Sequence, residues 1–396
     1  MKIKSIECLK LVRAFPAPST PPRHPLPMVG GKPGRTRNNP HPIHRYPDIL
    51  TGAFVPNPGE AFFTRTMFVR VTAEDGSWGI GSSHWGEYTK AFIEQHIAPL
   101  LIGRDCMAIE HLNDLMWRSF QRLGHTGLVS MAQAPVDIAL WDLKGKLLGV
   151  PVYTLLGGPS RPELDTYVTT SDIDWAMELG FTRFKIGNFI QLTDGTAGIN
   201  RLEDYVAQTR EKVGPDADLM VNVVMGYNVE FAIRVAERLR PYNLAWLEEP
   251  LMPWDHEGHA QLKHAVPTVP LATGETHRGR HAFAELIGRR AVDIVQPDIS
   301  WTGGLSETLK IYALAEAAGL QTLVHVGGGR PEGQHFSLTM PECTLAEYNL
   351  RSPAGVPLEE VSRVPGLAMP VNGKIRVSDA PGLGTDYHPD DFVPFD

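Results

Sequence analysis

In the second half of the chain, residues able to move protons or hold cations recur at one structural address: Lys185, Asn222, Glu248 with Glu249, Glu275, Asp298, His325 and Glu347. Each stands at or near the carboxyl end of a short apolar run that reads as a β-strand. A single carboxylate in such a place is ordinarily a solvated loop acid or a helix N-cap. Seven consecutive strands that each bring an ionisable or amide group to the same end are not explained that way. Packed around a small volume, the acids repel one another, and leaving a buried charge unpaired costs about 3–5 kcal/mol. A bound cation relieves that repulsion, and carboxylate and amide oxygens are the hard donors that magnesium prefers.

The elements that must position these residues form a regular alternation. Strands are predicted at Leu164–Thr170, Thr182–Ile186, Leu219–Val224, Ala245–Glu249, Leu271–Glu275, Asp293–Asp298, Gln321–Val326 and Thr344–Tyr348. Between them Leu202, Tyr205, Val206 and Thr209 follow helical spacing, as do Phe231, Val235 and Leu239, and Leu305, Leu309 and Tyr312. Strict alternation predicts an α/β protein with a parallel sheet, and eight strands favour a closed TIM-type (β/α)7β barrel over an open sheet. No glycine-rich phosphate loop follows any strand. Barrel chemistry sits at the carboxyl ends of the strands, where the βα-loops open, and the polar residues fall there.

Ahead of the barrel, residues 1–160 read as an α+β domain. A strand is expected over residues 2–14, a hairpin over 66–82 around Asp75-Gly76, and helices near 88–100, 108–122 and 128–147. Residues 15–62, rich in Pro, Gly, His and Arg, read as a mobile loop or lid. The barrel is expected over 161–362, and the Pro- and Gly-rich segment 363–396 is expected to return to the first domain. The net charge of −8 and scattered charges of both signs argue against nucleic acid as a partner. Cys8, Cys106 and Cys343 have neither disulfide nor metal spacing, no stretch reads as a signal peptide or membrane span, and the cytoplasm is the expected compartment.

The sequence WLEEP at 246–250, ATGE at 272–275, QPDI at 296–299 followed by Gly303 and Gly304, and the later His325 resemble the mandelate racemase subgroup of the enolase superfamily. YVTTSD at 167–172, PGLAMPVNGKI and the closing DAPGLG are most similar to the rhamnonate dehydratase-like sugar-acid dehydratases. The resemblance implies a magnesium enzyme acting on a small sugar acid, a first domain whose loops cap the barrel mouth, and a homo-oligomer. It implies that Asn222, Glu248 and Glu275 are the metal ligands, although the subgroup usually has aspartate where this chain has Asn222. Glu249 is then expected to orient the ligands. Asp298 and His325, twenty-seven residues apart, match the subgroup's His-Asp dyad, with His325 as base. Glu347 matches the acid facing the developing enediolate, and Lys185 the first lysine of a Lys-x-Lys pair.

The second lysine is missing, because the chain reads Lys185-Ile186-Gly187. A racemase with two opposed bases loses one of them, so the expected reaction is a one-base dehydration to a 2-keto-3-deoxy sugar acid. An epimerase or cycloisomerase on the same barrel, and a non-catalytic sugar-acid binder motivated by Asn222, are the alternatives. For the rest of the substrate, the candidates are His24, Arg35, Arg37, His41, His44 and Arg45 in the long segment, with Arg330 and Glu332 beyond the seventh strand.

Overall fold

The computed structural model describes residues 1–24, 66–124 and 126–396. β1 (Ile3–Leu11) pairs antiparallel with β2 (Met67–Ala73), which pairs with β3 (Trp78–Ser83). Gly76 turns the hairpin at φ +89°, a conformation that glycine adopts without a Cβ clash. This sheet packs on α1 (Gly86–Phe92), α2 (Ile109–Ser119) and α3 (Leu128–Leu148) through Val69, Val71, Leu112, Val136 and Leu140.

α3 is buried nearly all round, so its two acids need partners inside the protein. Asp142 accepts the Ile80 N–H at 2.9 Å, the Leu383 N–H at 2.8 Å and the Lys146 ammonium at 2.7 Å. Asp137 accepts from Asn113 Nδ2 at 3.1 Å and from the Ser306 N–H at 3.0 Å, which ties α3 to the barrel.

The eight expected barrel strands are all present. They are β4 (Leu164–Thr169), β5 (Arg183–Gly187), β6 (Asp218–Asn222), β7 (Trp246–Glu248), β8 (Leu271–Thr273), β9 (Ile294–Val295), β10 (Gln321–Thr322) and β11 (Ala346–Asn349). Between them run α4 (Ile173–Glu178), α5 (Gly195–Val213), α6 (Val229–Leu239), α7 (His256–Ala265), α8 (Gly279–Gly288), α9 (Leu305–Ala317) and α10 (Pro331–Thr339). The strands are parallel in the order β10-β9-β8-β7-β6-β5-β4-β11. At the seam between β10 and β11 single bonds replace a ladder, from Thr322 N–H to the Glu342 carbonyl and from Gly328 N–H to the Glu347 carbonyl.

Side-chain alternation decides what reaches the barrel interior. Phe184, Ile186, Leu219, Val221, Leu247 and Tyr348 pack outward in the core shared with the helices. Lys185, Asn222, Glu248 and Glu347 alternate with them and therefore face inward. Tyr167, Met220, Trp246, Ala272, Ile294 and Leu323 form a separate packed layer, one residue from each of six strands or their ends.

The chain ends at its beginning. β12 (Lys374–Ile375) pairs antiparallel with β4, and β13 (Phe392–Pro394) pairs antiparallel with β1. Phe395 is buried in the first domain's core. The three cysteines are buried free thiols, and no helix among the described residues is long and apolar enough to cross a membrane.

Candidate active site

Three of the strands stop earlier than the bounds expected from the sequence. β8 ends at Thr273, β9 at Val295 and β10 at Thr322, so Glu275, Asp298 and His325 lie on the turns that follow. Asp298 N-caps the short helical turn Ile299–Thr302, with Oδ1 accepting the Ser300 N–H at 2.8 Å and Ser300 Oγ at 2.7 Å. Val224, Met225, Glu249 and Val326 adopt positive φ between 44° and 62° just beyond β6, β7 and β10. Such backbone is costly for residues with a Cβ and persists where the surroundings enforce it, commonly at functional sites.

The turns and strand ends converge. His325 Nδ1 is 2.7 Å from Asp298 Oδ2, and His325 Nε2 is 3.4 Å from Glu275 Oε2. The ring lies 5.3 Å from that of Trp301. Arg330 Nη1 donates to Ser300 Oγ and sits 3.5 Å from Asp298 Oδ1. Below the dyad, Lys185 Nζ bridges Glu248 Oε1 and, at 2.8 Å, Glu347 Oε1. Glu347 Oε2 accepts the Val326 N–H at 2.8 Å. Asn222 Nδ2 donates to Glu248 Oε1 at 2.7 Å, while Trp246 Nε1 and Gln296 Nε2 donate to Oε2 at 2.9 and 2.8 Å.

Exposure separates two tiers. Lys185, Glu248 and Glu347 have side chains 1–2% exposed, whereas His325 and Glu275 retain 15% and 16%. A ligand entering from the mouth therefore meets His325 and Glu275 first. Lys185 is held between two carboxylates, Glu248 and Glu347. Glu347 is an acceptor here, not the hydrogen-bond donor expected of an acid facing an enediolate.

Charge follows from these contacts. Burial disfavours the Lys185 ammonium, but Glu248 and Glu347 outweigh it and hold the lysine charged. Burial would raise Glu347, yet Lys185 and His325 pull it down to about 2. Asp298 is depressed despite its burial, first by Arg330 and then by His325. Burial alone would make His325 less basic, but Glu275, Asp298 and Glu347 carry it up to about 9. Glu249 and Glu275 are raised by burial and by the acids around them.

That surplus of acids bears on a metal. Glu248, Glu249, Glu275 and Glu347 outnumber the two cations beside them, Lys185 and Arg278, and Glu249 Oε2 is buried with no hydrogen-bond partner among the described residues. The surplus charge and the oxygen chemistry fit a hard divalent cation. Among the described residues no three His, Cys, Asp or Glu side chains form a metal-holding group. The third candidate ligand is the amide of Asn222, whose oxygen now accepts the Val224 N–H at 2.9 Å. Its nitrogen and oxygen exchange places by a half-turn about the last side-chain bond.

Comparison with known proteins agrees with the geometry. Residues 172–391 match the family described as "Enolase C-terminal domain-like", and residues 61–157 match "Mandelate racemase / muconate lactonizing enzyme, N-terminal domain". The chain belongs to the mandelate racemase subgroup of the enolase superfamily. An L-rhamnonate dehydratase from Saccharopolyspora erythraea is 37% identical over 330 residues, covering 82% of this chain and 84% of the relative. The crystal structure of L-rhamnonate dehydratase from Gibberella zeae superposes with a TM-score of 0.82 at 30% identity, covering 99% of this chain and 96% of that one. The same Gibberella zeae enzyme is known as a magnesium complex, 29% identical with a TM-score of 0.82.

Within this enolase-superfamily barrel, His41, His44 and Arg45, with Arg35 and Arg37, lie outside the described residues. His24 lies away from the dyad, with Nε2 4.0 Å from Asp172 Oδ2 at the start of α4. Gln296, Trp246 and Ser300 hold the acids in place and were not singled out from the sequence. Gln296 opens the QPDI stretch, so its motif was visible, but only the fold shows it reaching across to Glu248.

Proposed function

We propose that this protein is a magnesium-dependent sugar-acid dehydratase of the rhamnonate dehydratase type. The observation that carries the reading is the Asp298–His325 pair, with the free face of the imidazole directed at Glu275. Asn222, Glu248 and Glu275 would hold the magnesium, which supplies charge stabilisation for a developing enediolate. Glu275 engaged with a cation no longer holds the His325 proton, and the imidazole is then free to act as a base.

His325 takes the proton next to the substrate carboxylate through Nε2, because Nδ1 is committed to Asp298. Asp298 fixes that tautomer and stabilises the imidazolium. The same Nε2 proton then passes to the β-hydroxyl as it departs as water, leaving an enol that becomes a 2-keto-3-deoxy acid. With Gly187 two residues after Lys185 and Lys185 locked between acids, the opposite face offers no second base of the Lys-x-Lys kind. That favours elimination over racemisation.

Incubation with magnesium and a panel of aldonic and aldaric acids, with 2-keto acid detection, tests the reading. L-rhamnonate is the first candidate, since the relatives that support the proposal carry that activity in their names. Exchange of the α-hydrogen with no keto acid formed would point to an epimerase instead. His325→Asn should abolish product formation while substrate binding persists, and undiminished turnover would remove His325 as the base.

A further inference from the structure

Gly303 and Gly304 follow the QPDI stretch and take no part in the site described so far. Gly304 stands at φ +93° directly before α9, and a Cβ on it would lie 2.4 Å from Asp137 Oδ2 of the first domain. A side chain here would push that carboxylate off the end of the helix. With glycine in place, Asp137 Oδ2 accepts the Ser306 N–H at 3.0 Å. An acid from α3 thus caps a barrel helix whose own N-cap residue has no side chain to do so.

The same face of α3 grips the rest of the turn. Ser130, Asp137, Ile138 and Trp141 follow one another at i, i+7, i+8 and i+11, which puts them on one stripe of the helix. Ser130 Oγ lies 2.8 Å from the Trp301 carbonyl, its proton shared with the Gly127 carbonyl at 2.9 Å. Trp141 Nε1 donates to Ser306 Oγ at 3.0 Å. Ile138 shares a packed cluster with Ile299 and Leu305, and it also lines a cavity of about 580 Å³ that opens beside the dyad.

The stretch held in this way starts at the residue after Asp298. Within it the Trp301 and Thr302 N–H groups return to the Asp298 carbonyl at 3.0 and 2.9 Å, Ser300 binds Asp298 Oδ1, and the Trp301 ring lies 5.3 Å from that of His325. Asp298 is therefore fixed from its C-terminal side by a domain that contributes neither member of the dyad. We infer that Asp137, with Ser130, is a positioning residue for the Asp298–His325 pair: the docking of α3 on the turn sets the direction of the Asp298 carboxylate and, through it, of the imidazole. This rests on the dehydratase reading for the work that His325 performs, and it adds a part for the first domain in aligning the base.

The test compares Asp137→Ala, Asp137→Asn and Ser130→Ala with Asp142→Ala, each in the full-length, magnesium-loaded protein. Asp142 is the other buried acid of α3 and binds Ile80, Leu383 and Lys146 instead of the turn, so its loss controls for stability. With whichever aldonate yields keto acid, Asp137→Ala should lower kcat roughly tenfold or more while KM stays within about twofold, since a small misalignment of a reacting group costs rate more than binding. Asp137→Asn keeps an acceptor for the Ser306 N–H and should recover most of that loss, and Asp142→Ala should leave kcat near the native value. A second readout needs no turnover. The proton that His325 Nδ1 shares with Asp298 at 2.7 Å should give a low-field NMR resonance that His325→Asn removes. That resonance should shift or vanish in Asp137→Ala and persist in Asp142→Ala. An unmoved resonance in folded Asp137→Ala overturns the inference, as does a loss of kcat that Asp142→Ala reproduces or a KM that rises alongside. If Asp137→Ala does not fold, Ser130→Ala is read by the same criteria. Keto acid production with kcat unmoved by Asp137→Ala sinks the positioning role alone. A resonance lost in Asp137→Ala, in a protein that makes no keto acid from the whole panel, sinks the dehydratase reading and leaves the positioning role standing.

Discussion

At the scale of single residues, the site is organised around one buried cation of the protein's own. Lys185 sits between Glu248 and Glu347, all three nearly sealed from solvent. Removing one member of such a group leaves the others uncompensated, and the loss is about 3–5 kcal/mol. Lys185→Met, which keeps the length of the stem, should lower the free energy of urea unfolding by that order, and an unchanged midpoint would show that the acids rearrange around solvent. Asn222 makes a different test. It is neutral where an aspartate would add a charge to the acids, so Asn222→Asp should tighten magnesium binding in a calorimetric titration. A titration indistinguishable from that of the native protein would remove Asn222 from the set of candidate ligands. The identities of these residues were legible in the sequence, because each stands at a strand end in a recognisable motif. Their protonation and bonding were not. Whether Glu347 donates or accepts depends on Lys185 reaching it from β5 and on the Val326 N–H reaching it from the next turn, and neither contact leaves a periodic trace.

At the scale of elements, the outward-facing apolar residues wrote the eight barrel strands plainly into the sequence, and their carboxyl ends much less so. The apolar run continues past Thr322 through Leu323 and Val324, whereas Gly274-Glu275 and Gln296-Pro297 end it after Thr273 and Val295, and at all three places the backbone turns away from the ladder toward Glu275, Asp298 and His325. Gly274 shows why: its φ is +146°, and a Cβ on it would lie 2.7 Å from the Gln296 nitrogen. The first domain depends on a comparable close approach. β3 lies on α3 so tightly that a Cβ at Gly79 or Gly81 would come within 2.1 Å of the carbonyl oxygen of Ala139 or Pro135. Backbone cannot yield to that without moving the hairpin off the helix. Gly81→Ala is expected to destabilise the protein by roughly 1–3 kcal/mol, the range for overpacking, and to lower its thermal midpoint. Since Gly81 also lines the cavity beside the dyad, its displacement should raise KM more than it lowers kcat. A variant with native stability and native KM would mean that the two elements slide apart freely.

At the scale of the whole molecule, the two ends of the chain meet in one sheet, and the barrel is fastened to the segment before it by contacts that burial makes sensitive to acid. His335 on α10 is 1% exposed, and its Nδ1 accepts the Tyr153 N–H at 3.1 Å from the helical turn Val152–Leu155 that precedes the barrel. Burial holds its pKa down to about 4, against 6.5 for an ordinary histidine. Between those values the unfolded chain binds a proton that the folded chain refuses, so stability falls as the pH falls. The contribution is complete above pH 6.5 and gone below about 4, and its full size is on the order of 3 kcal/mol. His335→Asn keeps an acceptor for the Tyr153 N–H but removes the titrating group. Urea unfolding at pH 7 and pH 4.5 should therefore show the native protein losing about 2 kcal/mol more than the variant over that interval. His84 and His277, both lowered to about 3, and any other titrating groups contribute to both proteins alike, so the difference between the two slopes isolates His335. Parallel slopes would mean that protonated His335 is accommodated in the fold, and that the joint between barrel and preceding segment opens in acid without cost to the rest.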